Sequence, residues 1–112
     1  MTSVGKHVLG NLFECNIEFL KDIENLKKIL NEVVVEAKLT KVGETYHQFQ
    51  PFGATGVVLL AESHISVHTW PEKAMVAVDV FTCGEEGDAV LAFDILSKKF
   101  ESKHIDKKEV NR

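Results

Sequence analysis

The segment 60–72, with the sequence LAESHISVHTWPE, limits the possible folds of this chain more than any other stretch. Polar and apolar residues alternate along it, and this period of two is typical of a half-buried β-strand rather than of a helix. On such a strand, one face carries Ile65, Val67 and Thr69, and the opposite face carries His64, Ser66, His68 and Trp70. The pattern therefore predicts a strand with one polar, titratable face.

The spacing of the two histidines bears on metal binding. On a helix, His64 and His68 would be neighbours and could share one ion. On a strand that rises about 3.3 Å per residue, they lie roughly 13 Å apart, which is too far for one zinc ion. We therefore expect no metal site here. The remaining chemistry is that of a serine nucleophile or a histidine acid/base acting on a nearby carbonyl group.

The remaining segments predict a sheet and two helices. Apolar residues recur at helical spacing after Asn16, a candidate N-cap, up to about residue 37, and again after Asp88, a second candidate N-cap, up to Phe100. Proline and glycine place a turn at 51–56. Strands are predicted at 6–14, 41–52, 57–61 and 75–82 besides the central one, and the charged tail 101–112 is expected to fray or to form a short edge strand. This order predicts an α+β fold, a two-layer sandwich in which two helices pack on one face of an antiparallel sheet.

Composition narrows the class of protein. With 112 residues, the chain is expected to form a single domain, 1–112. A net charge of −4 argues against nucleic acid and anionic membranes as partners. No apolar run is long enough to span a membrane, so a cytoplasmic location is expected.

Cys15 and Cys83 form no C-x-x-C motif and are expected to be free. Cys15 is a small core residue at a strand end, whereas Cys83 follows a strand and precedes a glycine turn, where reactive groups are often displayed.

Three motifs together resemble one family. They are ESH at 62–64, HTWPE at 68–72 and FTCGE at 81–85. In this combination and at these spacings, the chain resembles the small prokaryotic S-adenosylmethionine decarboxylase proenzymes. The resemblance extends from GKH at 5–7 through FEC at 13–15 and PFG at 51–53 to the second helix, which is nearly the whole chain.

The resemblance implies that the chain cuts itself between Glu62 and Ser63. The products would be residues 1–62, the beta chain, and residues 63–112, the alpha chain. The Ser63 hydroxyl would attack the Glu62 carbonyl, and elimination and hydrolysis would leave a covalent pyruvoyl group in place of Ser63. His68 would assist this processing. Thr55 would supply a second hydroxyl, where relatives commonly carry serine.

The resemblance also implies a decarboxylation. The pyruvoyl group would form a Schiff base with S-adenosylmethionine, carbon dioxide would leave, and Cys83 would return a proton to the substrate carbon. The product is an aminopropyl donor for spermidine biosynthesis. Phe49 and Phe13 would offer faces for stacking, and Glu72 would accept hydrogen bonds from the ribose. The family forms dimers with active sites across the interface.

The parity of the central strand conflicts with that chemistry. Ser63 shares the parity of Ile65, opposite to His68, so a regular strand would point the two functional side chains apart. We therefore expect a turn or bulge at 62–64. Two alternatives stay open at this point. One is a pyruvoyl-dependent arginine or ornithine decarboxylase, and the other is a non-catalytic regulatory homologue.

Overall fold

A computed structural model describes residues 4–61, 63–83 and 88–112 of the chain. Its helices and strands are, in chain order, β1 (Lys6–Phe13), α1 (Ile23–Glu36), β2 (Lys41–Gln48), β3 (Ala54–Leu60), β4 (Ser63–Trp70), β5 (Met75–Thr82), α2 (Asp88–Lys99) and β6 (His104–Asn111). Short 3-10 helices lie at Ile17–Leu20 and Pro71–Lys73.

The strands form one six-stranded sheet in the order β2-β3-β4-β5-β1-β6, and every pairing is antiparallel. Both helices pack on the same face of this sheet and against each other. Alternate strand residues such as Val8, Val58 and Val80 are fully buried beneath Leu30 and Phe93 of the helices. The predicted α+β two-layer sandwich is therefore confirmed.

The first predicted helix is divided in two. Asn16 does cap a helix, since its side chain accepts a hydrogen bond from the Glu18 N–H at 3.1 Å, but that helix is the 3-10 helix. The α-helix starts afresh at Ile23, where the Asp22 carboxylate accepts from the Asn25 N–H at 2.9 Å. An Asp side chain competes for backbone N–H groups and so favours a new N-cap over a continuous helix.

Other boundaries also differ from the predictions. Strand β2 ends at Gln48 and β3 already begins at Ala54, so the predicted turn 51–56 lies at 49–53. There the Phe49 N–H donates to the Gly53 carbonyl at 2.8 Å and reverses the chain. Asp88 is the first helical residue of α2 rather than its N-cap. The charged tail forms β6, an edge strand paired with β1.

The sequence predicted a turn or bulge at 62–64. Ala61 does lie in a turn, but Ser63 and His64 belong to a regular strand, so a bulge at these two residues is wrong. Strand β4 begins at Ser63 and pairs with β3 without a shift in register, from Ser63 opposite Leu60 to His68 opposite Thr55. Glu62 lies outside the described residues. Ser63 and His68 therefore do point to opposite faces, because a regular pleat allows no other arrangement for residues five apart.

We call the face of the sheet turned away from the helices the outer face. It bears the side chains that alternate with the buried ones, among them His7, Leu9, Thr55, Val57, Leu59, His64, Ser66, His68, Trp70, Asp79 and Phe81. The two α-helices of the described residues, α1 and α2, lie on the other side of the sheet. The outer face is thus open, and it combines apolar with titratable groups.

Candidate active site

Ser63 and Cys83 meet at one end of the sheet. Ser63 is the first residue of β4, Cys83 directly follows β5, and the two strands are neighbours. The Cys83 N–H donates to the Ser63 Oγ at 3.0 Å. Both side chains line a cavity of about 370 Å³, together with residues 38–40 after α1 and Asp88 of α2. We call Ser63 and Cys83 the serine cluster.

The N–H···Oγ bond determines how the Ser63 hydroxyl can act. A hydroxyl carries one donor and two acceptor lone pairs. One lone pair accepts from Cys83, so the hydroxyl proton stays available to a base and the second lone pair to an electrophile. This is the condition that a serine nucleophile requires.

Thr55 and His68 meet at the opposite end of β4. They are directly opposed across β3 and β4, and the Thr55 Oγ1 lies 2.9 Å from the His68 Nδ1. A hydrogen bond at Nδ1 holds the imidazole in one orientation and leaves Nε2 open for proton transfer. We call Thr55 and His68 the histidine cluster.

A larger cavity, of about 650 Å³, adjoins the histidine cluster. Phe49 and Glu72, which the sequence assigned to substrate binding, both line it. Its walls also include residues that the sequence analysis did not single out as binding residues, namely Ile17, Lys21, Phe52 and Trp70. The structure therefore brings four predicted residues together here: Phe49, Thr55, His68 and Glu72.

The sequence analysis did not predict two residues of this region as site residues: Trp70 in the cavity wall and His47 beside Phe49. Trp70 follows His68 on the same face, so the alternation already places the two together. The His47 ring packs edge-on against Phe49, with the ring centroids 4.8 Å apart. His47 lies opposite Thr55 on the neighbouring strand, which becomes visible only once the β2–β3 register is known.

Phe13 joins neither cluster. It ends β1 and its ring packs against His104 of β6, with a centroid separation of 5.6 Å. The residues described around the two cavities do not include it. The structure thus does not bring Phe13 together with Phe49.

The two clusters are far apart within one chain. Ser63 and His68 lie five positions apart on a regular strand, which corresponds to roughly 16 Å along β4. Their side chains also leave opposite faces of the sheet. The His68 imidazole of a chain therefore cannot reach its own Ser63 hydroxyl.

The two cysteines have different environments, although neither forms a disulfide bond. Cys15 is 6% exposed, and burial raises the pKa of its thiol to about 11. A thiol of that kind stays protonated and inert at neutral pH. Cys83 is half-buried beside Ser63. The prediction of Cys15 as a small core residue is confirmed, whereas Cys83 lines the cavity next to Ser63.

A two-layer α+β domain with hydroxyl, thiol and imidazole groups beside two cavities is typical of a small enzyme. Among the described helices, none is both long and apolar enough to cross a membrane.

Comparison with known proteins identifies the family. The profile of the S-adenosylmethionine decarboxylase family matches residues 6–112. The S-adenosylmethionine decarboxylase proenzyme of Aquifex aeolicus is 46% identical over 105 residues, which cover 94% of this chain and 78% of that protein. The proenzyme of Archaeoglobus fulgidus is 46% identical over 97 residues, 87% of each chain. The crystal structure of the Aquifex aeolicus adenosylmethionine decarboxylase superimposes with a TM-score of 0.95 at 42% identity, covering 100% of this chain and 92% of that one. The chain belongs to the S-adenosylmethionine decarboxylase family.

Proposed function

We propose that the chain is the self-processing precursor of a pyruvoyl-dependent S-adenosylmethionine decarboxylase whose active sites form between two copies. Family membership supports the reaction. The shared active site is supported by one observation: the serine cluster and the histidine cluster lie at opposite ends of β4. The Ser63 hydroxyl and the His68 imidazole lie in different clusters, so a working site needs groups from two chains.

The processing step uses the Ser63 hydroxyl. Its Oγ attacks the carbonyl carbon of residue 62, the peptide C–N bond breaks, and the amide becomes an ester while the proton passes to the freed amine. Removal of the Ser63 Cα proton then expels the carboxylate of residue 62, and water releases ammonia to leave a pyruvoyl group. The products are residues 1–62 and 63–112. The base for these steps is the His68 imidazole of the second copy, which Thr55 of that copy orients.

The residues of the serine cluster fit a pyruvoyl group. Ser63 and Cys83 line the same cavity, so a pyruvoyl group formed from Ser63 would be open to a substrate and would have Cys83 beside it. A pyruvoyl group supplies an electron-accepting carbonyl for the decarboxylation of an amino acid. The Cys83 thiol, next to it, returns a proton to the substrate carbon after carbon dioxide has left.

The larger cavity suits the adenosine and sulfonium parts of the substrate. Phe49 is 47% exposed and Trp70 is 37% exposed, so both offer free aromatic surface. Aromatic faces attract both a nucleobase and a cation. Glu72 lines the same cavity and can accept from ribose hydroxyls. Arginine and ornithine have no adenosine for these groups, and the relatives named above are all S-adenosylmethionine decarboxylases.

The outer face is the surface on which a second copy would pack. It carries apolar side chains such as Val57 and Leu59 on β3, with Leu59 52% exposed, and Trp70 at the end of β4. An antiparallel sheet normally turns a polar face to water, so an open apolar face indicates a partner. A two-fold axis that lies between two such sheets and crosses the strands sets one end of β4 over the opposite end of the partner's β4. In this arrangement, the β4 end with each serine cluster lies over the β4 end with the histidine cluster of the other chain. The Ser63 side chain leaves the face toward the helices, so the two clusters meet around the end of the strand, where Ser63 is the first residue of β4.

Two measurements test this function. Intact mass of the purified protein should give fragments 1–62 and 63–112, with the second blocked by a pyruvoyl group, whereas Ser63→Ala should stay whole. The processed protein should release carbon dioxide from S-adenosylmethionine but not from arginine or ornithine. A full-length chain after prolonged incubation would refute the self-processing, and turnover of an amino acid alone would refute the substrate.

Complementation tests the shared site. Ser63→Ala and His68→Ala, each with its own tag, are produced separately and together. Alone, neither variant should be cleaved efficiently. Together, the His68→Ala chain should be cleaved, because its intact Ser63 meets the His68 of the other chain in mixed dimers. Cleavage no better in the mixture than in the separate variants would mean that each chain builds its own site.

A further inference from the structure

We propose that Gln48 is a positioning residue for the substrate's adenosine, because its side chain holds the 49–53 turn that presents Phe49. The proposal rests on the function proposed above. Gln48 is the last residue of β2, and its half-buried side chain points to the helix side of the sheet. It therefore stands behind the cavity wall and not in the cavity.

The Gln48 amide joins the turn to the start of α1. Its Oε1 accepts from the Ile23 N–H at 2.8 Å. Its Nε2 donates to the Lys21 carbonyl at 3.0 Å, to the Gly53 carbonyl at 3.1 Å and to the Phe49 carbonyl at 2.9 Å. The partners also determine the orientation of the amide, since a rotated amide would set its oxygen against three carbonyl oxygens.

Backbone hydrogen bonds complete the same junction. The Gly53 N–H donates to the Lys21 carbonyl at 2.8 Å, and the Phe49 N–H donates to the Gly53 carbonyl at 2.8 Å. The Lys21 carbonyl thus accepts from both Gly53 and Gln48. Lys21 and Phe49, one from each segment of this junction, both line the larger cavity. Gln48 is the one side chain among the described residues that hydrogen-bonds to both segments.

This arrangement predicts a specific kinetic effect. An exposed aromatic residue on a turn binds a nucleobase well only if the turn is already ordered, because ordering it during binding costs free energy. The adenosine does not react, so disorder of the Phe49 turn should weaken substrate binding and leave the chemical step nearly unchanged. Loss of a residue that only stabilises the fold would not weaken substrate binding while leaving the chemical step unchanged.

The test compares Gln48→Met and Gln48→Glu with Asn31→Leu. Met removes every hydrogen bond at similar length, and Glu keeps the acceptor for Ile23 but loses the donors. Asn31 is the matched control, because its side chain also links α1 to β2, through the Lys27 carbonyl, Lys41 and Glu44, away from the larger cavity.

In the processed enzyme, the KM for S-adenosylmethionine and the inhibition constant of 5′-methylthioadenosine should both rise about tenfold in the Gln48 variants, the order expected for losing one or two net hydrogen bonds. The maximal rate should change less than about twofold, as it does for interactions equal in ground and transition state. Asn31→Leu should lower the melting temperature without changing either constant.

The outcomes separate the two proposals. If the unaltered protein does not turn over S-adenosylmethionine, the proposed function fails. If it does, and the Gln48 variants keep its KM and inhibition constant, only the role of Gln48 is refuted. Should Gln48→Met fail to fold, Gln48→Glu answers the same question, and a loss of maximal rate without any change in binding would also overturn the proposal.

Discussion

Replacement of Thr55 by valine tests the orientation of His68 directly. Valine keeps the branched shape of threonine and removes only the Oγ1 that lies 2.9 Å from the His68 Nδ1. A net hydrogen bond contributes about 0.5–1.5 kcal/mol, and each 1.4 kcal/mol is a factor of ten. Self-cleavage should therefore slow by roughly 2- to 12-fold, provided that the whole contribution is felt in the processing step.

The assay follows the appearance of the two fragments on a denaturing gel with time. Thr55→Ser should restore most of the rate, since it returns the hydroxyl. Thr45→Val is the matched control, because Thr45 lies on the outer face of the adjacent strand, opposite Val57. Cleavage of Thr55→Val at the unaltered rate, or slow cleavage of Thr55→Ser as well, would show that the hydroxyl does not act through His68.

Three further predictions concern single residues. Cys83→Ala should still be cleaved but lose most of its turnover, with gradual inactivation visible by mass, because the substrate carbon no longer receives its proton from the thiol. Phe49→Ala should weaken S-adenosylmethionine binding by about 1–3 kcal/mol, as loss of a base-stacking ring does, and titration of the inhibitor measures it. Glu44→Gln should destabilise the fold at pH 7 but not near pH 2, as urea unfolding at several pH values would report.

The sign of the last effect follows from the hydrogen bonds of Glu44. Donation from Lys41, then from Tyr46 and Asn31, lowers the pKa of the Glu44 carboxyl to about 2. The unfolded chain then binds more protons than the folded one between that value and its ordinary pKa of ~4.3. The stabilisation is complete above the unfolded pKa and is lost as the pH falls through the folded one. The Lys41 side chain is 34% exposed, so solvent screening limits the effect to about 1 kcal/mol.

Each of these predictions has its own contrary result. Cys83→Ala with full turnover and a stable cofactor would remove the thiol from the mechanism. Phe52→Ala is the control for Phe49, because the Lys21 ammonium already lies 5.2 Å from the centre of the Phe52 ring. Equal losses in both variants would argue against stacking on Phe49. A Glu44→Gln difference that persists at pH 2 would mean that the carboxylate is not the origin of the stability.

The sequence by itself determined the fold class. Apolar residues at a period of two in 63–70 and 75–82 and at helical spacing in 23–36 and 88–99 can be buried only as strands and helices, and their order leaves one layer of helices on an antiparallel sheet. Element ends were predicted less well. Asp22 starts a new helix and Gln48 ends a strand through side-chain bonds to backbone groups, and propensity does not report such bonds.

The sequence also provided the candidate residues for chemistry, since ESH, HTWPE and FTCGE contain the serine, histidine and cysteine of the proposed site. Only the tertiary structure decided which of them meet. Ser63 meets Cys83 because β4 and β5 are neighbours, and Thr55 meets His68 because β3 and β4 pair in that register. Strand order and register arise from hydrogen bonds and packing between residues distant in the chain, so no local pattern encodes them. The regular pleat of β4 then puts Ser63 and His68 on opposite faces, and it is this separation that makes a second copy of the chain part of the proposed site.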